Sequence, residues 1–272
     1  MTKIKLIIAD CDGTILHNDK TLDRNLLAVI DQLAKQDIKF TIATGRNYLL
    51  AKWIKDLLNL EEPYILDNGA NLYLKDERII SHCMDITDLT YIIDLFKTHD
   101  LPFLVMSDKR IYYHNDSVYF KKFKEYLANT FPFEDISTTN TYYHEHIYKI
   151  AVDGFGCEEI ELMCDDINKR NQEIYMRVSE NKLYVMTSLL ASKSLGIKEL
   201  CNYYQITPDE IMVFGDNYND VDMLEAFNAS VAMGQAHQDI KDCAQAVCDT
   251  NENDGVSKYL IDYFQLDKTK FK

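Results

Sequence analysis

From residue 3 to residue 9 the chain is dominated by isoleucine and leucine without sustained polar alternation, the pattern of a parallel strand covered on both faces. After a turn-rich stretch, residues 23–36 place Leu26, Ile30, Leu33 and Ala34 on one side, which predicts an amphipathic helix. Residues 38–43 are again a short apolar strand. Strand, helix and strand joined by brief connections form a βαβ unit, and this unit predicts a doubly wound parallel sheet. A further strand is expected at 64–66, closed by Asn68-Gly69, and a hairpin at 70–81.

The texture then changes. Helical periodicity at 88–99, 118–129 and 158–169 is interleaved with short apolar runs at 103–106, 147–152 and 174–178, and tyrosines crowd the segment. The earlier rhythm resumes with a helix at 195–204, a strand at 211–214, a helix at 221–227, a strand at 230–233 and a closing helix at 256–264. The fold class expected is α/β, a Rossmann-like doubly wound parallel-sheet core formed by residues 1–82 and 187–272. An inserted α+β domain is expected at 83–186.

Composition narrows the picture. A chain of 272 residues with 47% hydrophobic content suffices for one good core and a second, smaller one. The formal charge of −15 argues against a nucleic-acid partner, which needs clustered Lys and Arg, and against anionic membranes. No apolar run reaches bilayer length, and the first strand follows Met1 too closely to leave room for a signal peptide, so a cytoplasmic location is expected. Seven cysteines without CxxC pairs read as reduced, structural thiols.

Ligands of an open parallel sheet sit beyond the carboxyl ends of its strands, where LIIAD delivers Asp10 and Asp12. Two other strands end in polar, glycine-containing turns, Thr44-Gly45-Arg46 and Gly215-Asp216-Asn217-Tyr218-Asn219-Asp220. Carboxylates converging on one rim repel by about 1–4 kcal/mol per close pair unless a cation sits among them. With oxygen ligands only, Mg²⁺ fits better than Zn²⁺. Thr44 and Gly45 supply hydroxyl and amide donors for a phosphoryl group. Asp10 is then placed to attack phosphorus, and Asp12 to protonate the leaving alkoxide and later deprotonate water.

These motifs resemble the haloacid dehalogenase superfamily, and within it the Cof-type phosphatases with a type II (IIB) cap, over nearly the whole chain. Asp10-Cys11-Asp12-Gly13-Thr14 is similar to the first motif, with Asp10 as nucleophile and Asp12 as general acid/base. Thr44-Gly45-Arg46 is similar to the second, Lys193 stands where the third-motif lysine lies, and Gly215–Asp220 followed by Met223-Leu224 resembles the fourth. The resemblance implies phosphate binding by Cys11, Thr44, Gly45, Lys193 and Asn219. It implies metal binding by Asp10, Asp12 (through its carbonyl), Asp216 and Asp220, with Arg46 and Asn68 as substrate contacts. The family usually carries Leu, Phe or Met at the position of Cys11, and Gly at that of Ser194; neither change removes a reacting group.

The implied activity is Mg²⁺-dependent hydrolysis of a small phosphorylated metabolite, a sugar phosphate or a nucleotide- or flavin-pathway phosphate, with the inserted domain closing over the site and selecting the leaving group. A phosphomutase or phosphotransferase on the same scaffold and a non-catalytic phosphometabolite-binding regulator stand as alternatives. A calcium-loop reading fails. Started at Asp10, the loop would need glycine where Ile15 stands and glutamate where Thr21 stands; started at Asp216, it meets Val221 and Phe227. His144-Glu145-His146 is expected on an exposed strand rather than at a metal, and Tyr112, Tyr113, Tyr142 and Tyr143 mainly as core and surface aromatics. Substrate identity and oligomeric state are open at this point.

Overall fold

The computed structural model describes residues 3–127, 130–139, 141–180 and 182–271. Two compact units emerge. The first comprises the chain up to Asn47, Ala51–Ser81 and everything from Ser192 on; the second comprises Tyr48–Leu50 and His82–Ala191.

The first unit begins with β1 (Leu6–Ala9), α1 (Leu26–Ala34), β2 (Lys39–Ile42), α2 (Tyr48–Leu58), β3 (Tyr64–Leu66), β4 (Asn71–Leu74) and β5 (Glu77–Ser81). The second holds α3 (Ile86–Thr98), β6 (Phe103–Ser107), β7 (Ile111–His114), α4 (Val118–Leu127), β8 (Phe133–Asp135), β9 (Ile147–Asp153), α5 (Ile160–Arg170), β10 (Ile174–Glu180) and β11 (Leu183–Ser188). The chain returns to the first with α6 (Lys193–Tyr204), β12 (Ile211–Gly215), α7 (Val221–Ala226), β13 (Ala229–Ala232), α8 (Gln238–Asp242), β14 (Ala246–Val247) and α9 (Gly255–Tyr263).

The core sheet is parallel throughout, in the order β14-β13-β12-β1-β2. β1 lies between β12 and β2, with Leu6 opposite both Ile211 and Lys39, so its four residues are buried on both faces, as unbroken apolarity requires. Leu6, Ile8, Ile211 and Val213 share one face with Ile197 and Leu200 of α6 and Met223 and Leu224 of α7. On the other face α1 packs with α9, and the Phe214 ring meets Tyr259 edge-on. A parallel bridge from Ala43 to Ile65 carries β3 alongside β2. β3, β4 and β5 form a separate antiparallel meander.

The second unit is built on a six-stranded sheet ordered β10-β11-β9-β6-β7-β8, antiparallel except at β7–β8. Its strands alternate. Phe103, Val105, Ile150 and Val152 join α3 and α5 on one face, whereas Leu104, Ala151 and Leu183 join Phe120 and Leu127 of α4 on the other. No helix among the described residues is long and apolar enough to cross a membrane.

One sequence expectation changes, one element was not expected, and one lies partly outside the described residues. Residues 48–58 form α2, for which no element was expected although its pattern is amphipathic: Lys52, Lys55 and Asp56 group on one side and apolar side chains cover the rest, with Ala51, Ile54 and Leu58 buried and Leu49, Trp53 and Leu57 exposed. The His144-Glu145-His146 segment is not a strand: Thr141–His144 is a 3₁₀ turn and β9 starts only at Ile147. Glu145 is drawn inward by an ion pair with Arg110 at 3.0 Å and a 2.5 Å hydrogen bond from Ser107 Oγ. The helix expected at 118–129 is described as far as Leu127, and its last two residues lie outside the described residues.

A turn at Asp67–Gly69 locks the two segments of the first unit together. Gly69 has φ +101°, and a Cβ there would stand 2.0 Å from the Ser192 carbonyl oxygen at the head of α6. Overlap with backbone and an unfavourable φ add. Gly69→Ala is expected to destabilise the fold by at least about 2 kcal/mol, read as a lower urea midpoint with unchanged slope.

Candidate active site

Asp10 continues β1 beyond Ala9, its amide donating to the Phe214 carbonyl at 2.9 Å. The ladder that buries β1 thus delivers this carboxylate to the strand end, where it is 5% exposed. Lys193, the first residue of α6, reaches it from the far end of the insertion. Its side chain is fully buried, and Nζ donates to Asp10 Oδ1 at 2.6 Å and to Asp220 Oδ1 at 2.5 Å.

The head of α6 is fixed by two groups. Ser192 Oγ accepts from the Leu195 amide, as an N-cap does, and donates to Asp222 Oδ2 at 2.6 Å; the same oxygen accepts from the Ser194 amide at 2.9 Å. Asp222 carries no signal in the sequence, because a carboxylate in the first turn of one helix looks the same whether or not it caps another.

The turn after β12 supplies Asp216 and Asp220. Asp220 Oδ2 accepts from the amides of Asp216 and Asn217 at 2.9 and 3.0 Å, so Asp220 shapes the loop that presents Asp216. Thr14 Oγ1 donates to Asp216 Oδ1 at 2.9 Å. Gly13, at φ +80°, makes room for this: a Cβ there would stand 2.3 Å from Asp216 Oδ2. One carboxylate oxygen from each of Asp10, Asp216 and Asp220 lies within 4.8 Å of the others.

Asp12 is not in that cluster. Its Oδ2 accepts from Arg46 Nε at 2.7 Å, and its Oδ1 accepts from Arg46 Nη2 at 2.7 Å and from Lys20 Nζ at 2.8 Å. Arg46 in turn lies over the Trp53 ring, 5.7 Å from its centroid. Beside Arg46, Thr44 is buried, its Oγ1 accepting from the Arg46 amide at 3.2 Å. The loop through Gly45 is tied to the 67–69 turn by bonds from the Asn68 amide to the Thr44 carbonyl and from the Asp67 amide to the Arg46 carbonyl. Asn68, itself left-handed at φ 54°, accepts from Asn219 Nδ2 at 3.0 Å. Cys11 is fully buried, and burial together with the neighbouring Asp10 pushes its thiol well above the usual range, which leaves it inert as a nucleophile. Lys20 and Thr14 are contacts to which sequence reasoning gave no role.

Electrostatics divide the carboxylates into two kinds. Burial, reinforced by Asp220 and Asp216 and opposed by Lys193, pushes Asp10 up to about 8. Burial and Asp220 push Asp216 up to about 6 against the Thr14 hydrogen bond. Burial alone would lower Lys193, but Asp10 and Asp220 outweigh it, so the ammonium keeps its proton. Asp12 behaves oppositely: burial would raise it, yet the bonds from Arg46 and Lys20 hold it down to about 2. A cluster of three carboxylates around one ammonium is therefore short of positive charge. Its donors are all oxygen, as a hard divalent cation requires, so the residues present fit Mg²⁺.

The chain also matches known proteins. The family described as haloacid dehalogenase-like hydrolase matches residues 7–260. The chain is 27% identical to the 5-amino-6-(5-phospho-D-ribitylamino)uracil phosphatase YitU of Bacillus subtilis, over 97% of this chain and 99% of that one. Among solved structures it resembles the phosphatase BT1666 of Bacteroides thetaiotaomicron, with a TM-score of 0.82 at 22% identity, covering 97% of this chain and 96% of the other. It also resembles the subclass IIB sugar phosphatase BT4131, with a TM-score of 0.77 at 22% identity over 96% and 99%.

Proposed function

The chain belongs to the haloacid dehalogenase-like hydrolases, as a phosphoric monoester hydrolase, and from that premise we propose that it cleaves small phosphorylated metabolites with Mg²⁺ through an aspartyl-phosphate on Asp10. The observation that carries this reading is the Asp10–Lys193–Asp220 arrangement, a nucleophile held at 2.6 Å by a buried ammonium beside two further carboxylates.

Asp10, Asp216 and Asp220 would hold Mg²⁺ together with the Asp12 carbonyl, and the ion supplies the positive charge that lets a carboxylate and a phosphate approach each other. A carboxylate oxygen of Asp10 attacks phosphorus as the bond to the leaving oxygen breaks. Asp12, a carboxylate while Arg46 and Lys20 hold it, would take up a proton as the substrate phosphate docks and pass it to that oxygen. Water then attacks the acyl phosphate, Asp12 takes the water's proton, and inorganic phosphate leaves with Asp10 regenerated. Lys193 keeps the attacking carboxylate oriented through both steps. Thr44, Gly45 and Asn219, with the Cys11 backbone, hold the phosphoryl oxygens; Arg46 and Asn68 flank them. The inserted unit carries selection of the leaving group.

Substrates of this class include the 5-amino-6-(5-phospho-D-ribitylamino)uracil named for the B. subtilis relative, alongside sugar, nucleotide and flavin-pathway phosphates. The test is release of p-nitrophenol from p-nitrophenyl phosphate. Turnover with Mg²⁺, loss to background on removing the ion with EDTA, and recovery when Mg²⁺ is restored are expected. Turnover that persists in EDTA overturns the metal assignment. Phosphate transfer to an added sugar in place of water, seen as a new sugar phosphate, would favour a phosphotransferase.

A further inference from the structure

Lys193 is held at both of its ends by one stretch of the chain. At the tip, Nζ donates to Asp220 Oδ1 at 2.5 Å. At the base, Asp222 accepts through Oδ2 from the Ser194 amide at 2.9 Å and from Ser192 Oγ at 2.6 Å. Ser192 Oγ also lies 3.0 Å from Ser194 Oγ and accepts from the Leu195 amide at 3.2 Å. Two amides that the first turn of an α-helix leaves without helical partners are thereby used, one by the N-cap serine and one by a carboxylate from another helix.

The origin of that carboxylate matters. An N-cap serine ties the first turn to itself and fixes the helix against nothing else. Asp222 stands on α7, whose Met223 and Leu224 are buried in the same core cluster as Ile211 and Val213 of β12. Its bonds therefore fix the head of α6 against the element that follows the Asp216–Asp220 turn. From the other side Gly69 closes on the Ser192 carbonyl, where a Cβ would stand only 2.0 Å away. With Ser192 and Ser194 both anchored, the fully buried Lys193 side chain runs from a set base to Asp10 Oδ1, 2.6 Å from Nζ.

We propose that Asp222 is a positioning residue for Lys193: by anchoring the two residues that flank it, Asp222 fixes the height at which the ammonium meets the Asp10 carboxylate. The inference rests on the phosphatase reading above and adds to it a residue to which the motifs gave no role. Asp222 exchanges no proton and touches none of the reacting atoms; it acts through the backbone of residues 192–194. The turn that presents Asp216 is shaped by Asp220 Oδ2 on the amides of Asp216 and Asn217, bonds in which Asp222 takes no part.

Turnover of p-nitrophenyl phosphate by Asp222→Ala and Asp222→Asn tests this, each variant being assayed well below its own melting temperature. For Asp222→Ala, kcat is expected to fall about tenfold with KM little changed, because a small misplacement of a group that orients the nucleophile is felt in the chemical step. The Mg²⁺ concentration for half-activation should stay within about twofold of wild type, since the acidic cluster keeps its own bonds. Asp222→Asn keeps an oxygen that accepts the same two bonds and restores most of the loss. A second readout needs no turnover. The coupling between Lys193 and Asp10, read as the non-additivity of Lys193→Met and Asp10→Asn in urea denaturation, should drop by at least about half when Asp222 is replaced by alanine. An unchanged kcat, a kcat that moves together with the Mg²⁺ requirement, an asparagine variant no better than alanine, or an unchanged coupling each overturns the proposal. If wild type releases no p-nitrophenol, the phosphatase reading fails and takes the catalytic part of the proposal with it, while the coupling still judges the placement of Lys193. If wild type is active and Lys193→Met is equally active, the phosphatase reading stands and the proposal falls alone.

Discussion

Asp10→Asn is expected to lower phosphatase activity by on the order of 10⁴-fold or more while leaving the protein folded. The amide keeps the shape of the carboxyl group and can still accept from Lys193 Nζ, so the end of β1 need not move. What it lacks is the anionic oxygen that must bond to phosphorus. The stability side of the same substitution is the sharper test. Asp10 is buried with Asp216 and Asp220 around a single ammonium, and burial plus those two neighbours already push its carboxyl up to about 8. Above about pH 8, where that carboxyl is ionised, the substitution removes one negative charge from a cluster with too many and relieves repulsion. In Mg²⁺-free buffer in that alkaline range the melting temperature of Asp10→Asn should therefore equal or exceed that of wild type, measured by circular dichroism. Mg²⁺ should raise it less than it raises wild type, because one of the oxygens that would hold the ion has become a neutral amide. A variant that loses activity and stability together would show that the Asp10–Lys193 pair holds the fold and that the loss of turnover is secondary.

How far the sequence led depends on distance along the chain. Asp10, Asp12 and Thr14 share one turn after an unmistakable strand, and Gly215–Asp220 follows another, so both clusters are visible in local pattern. Lys193 is not. It is 183 residues from Asp10, and only resemblance to a family singles it out from the other lysines; folding brings its Nζ to 2.6 Å, with the head of α6 packed closely against Gly69 of the 67–69 turn. The division among the carboxylates was equally hidden. Asp12 stands two residues from Asp10 and was expected at the same rim. Yet Arg46 and Lys20 turn its side chain away from the acidic cluster, and a lysine in a polar loop gives no sign of its partner. The α2 helix and the His144–His146 segment went unread for a different reason. In α2 the apolar arc is wide and runs past the buried face to exposed Trp53 and Leu57; Glu145 follows a 3₁₀ turn and pairs with Arg110, a buried partner that local alternation cannot report. Local periodicity reports burial only where the buried face is apolar and the exposed face polar.

Removal of the buried ammonium should have the opposite effect on stability to removal of Asp10. Lys193→Met keeps the length of the side chain and deletes its charge. Asp10 and Asp220 then face each other and Asp216 with nothing to oppose them, at a place where Lys193 and Asp220 are wholly shielded from solvent. Breaking a buried pair by deleting one partner costs about 3–5 kcal/mol, because the remaining charge has no water to turn to. Lys193→Met should thus lose that much in urea denaturation and lose turnover as well. The double variant Lys193→Met/Asp10→Asn separates the causes. If the cost is unpaired charge, neutralising Asp10 in the Lys193→Met background recovers part of the lost stability, so the two substitutions are non-additive by more than about 1 kcal/mol. If Lys193 matters only for the packing of α6 against the 67–69 turn, the double variant is no more stable than Lys193→Met, and the electrostatic account of this site is wrong.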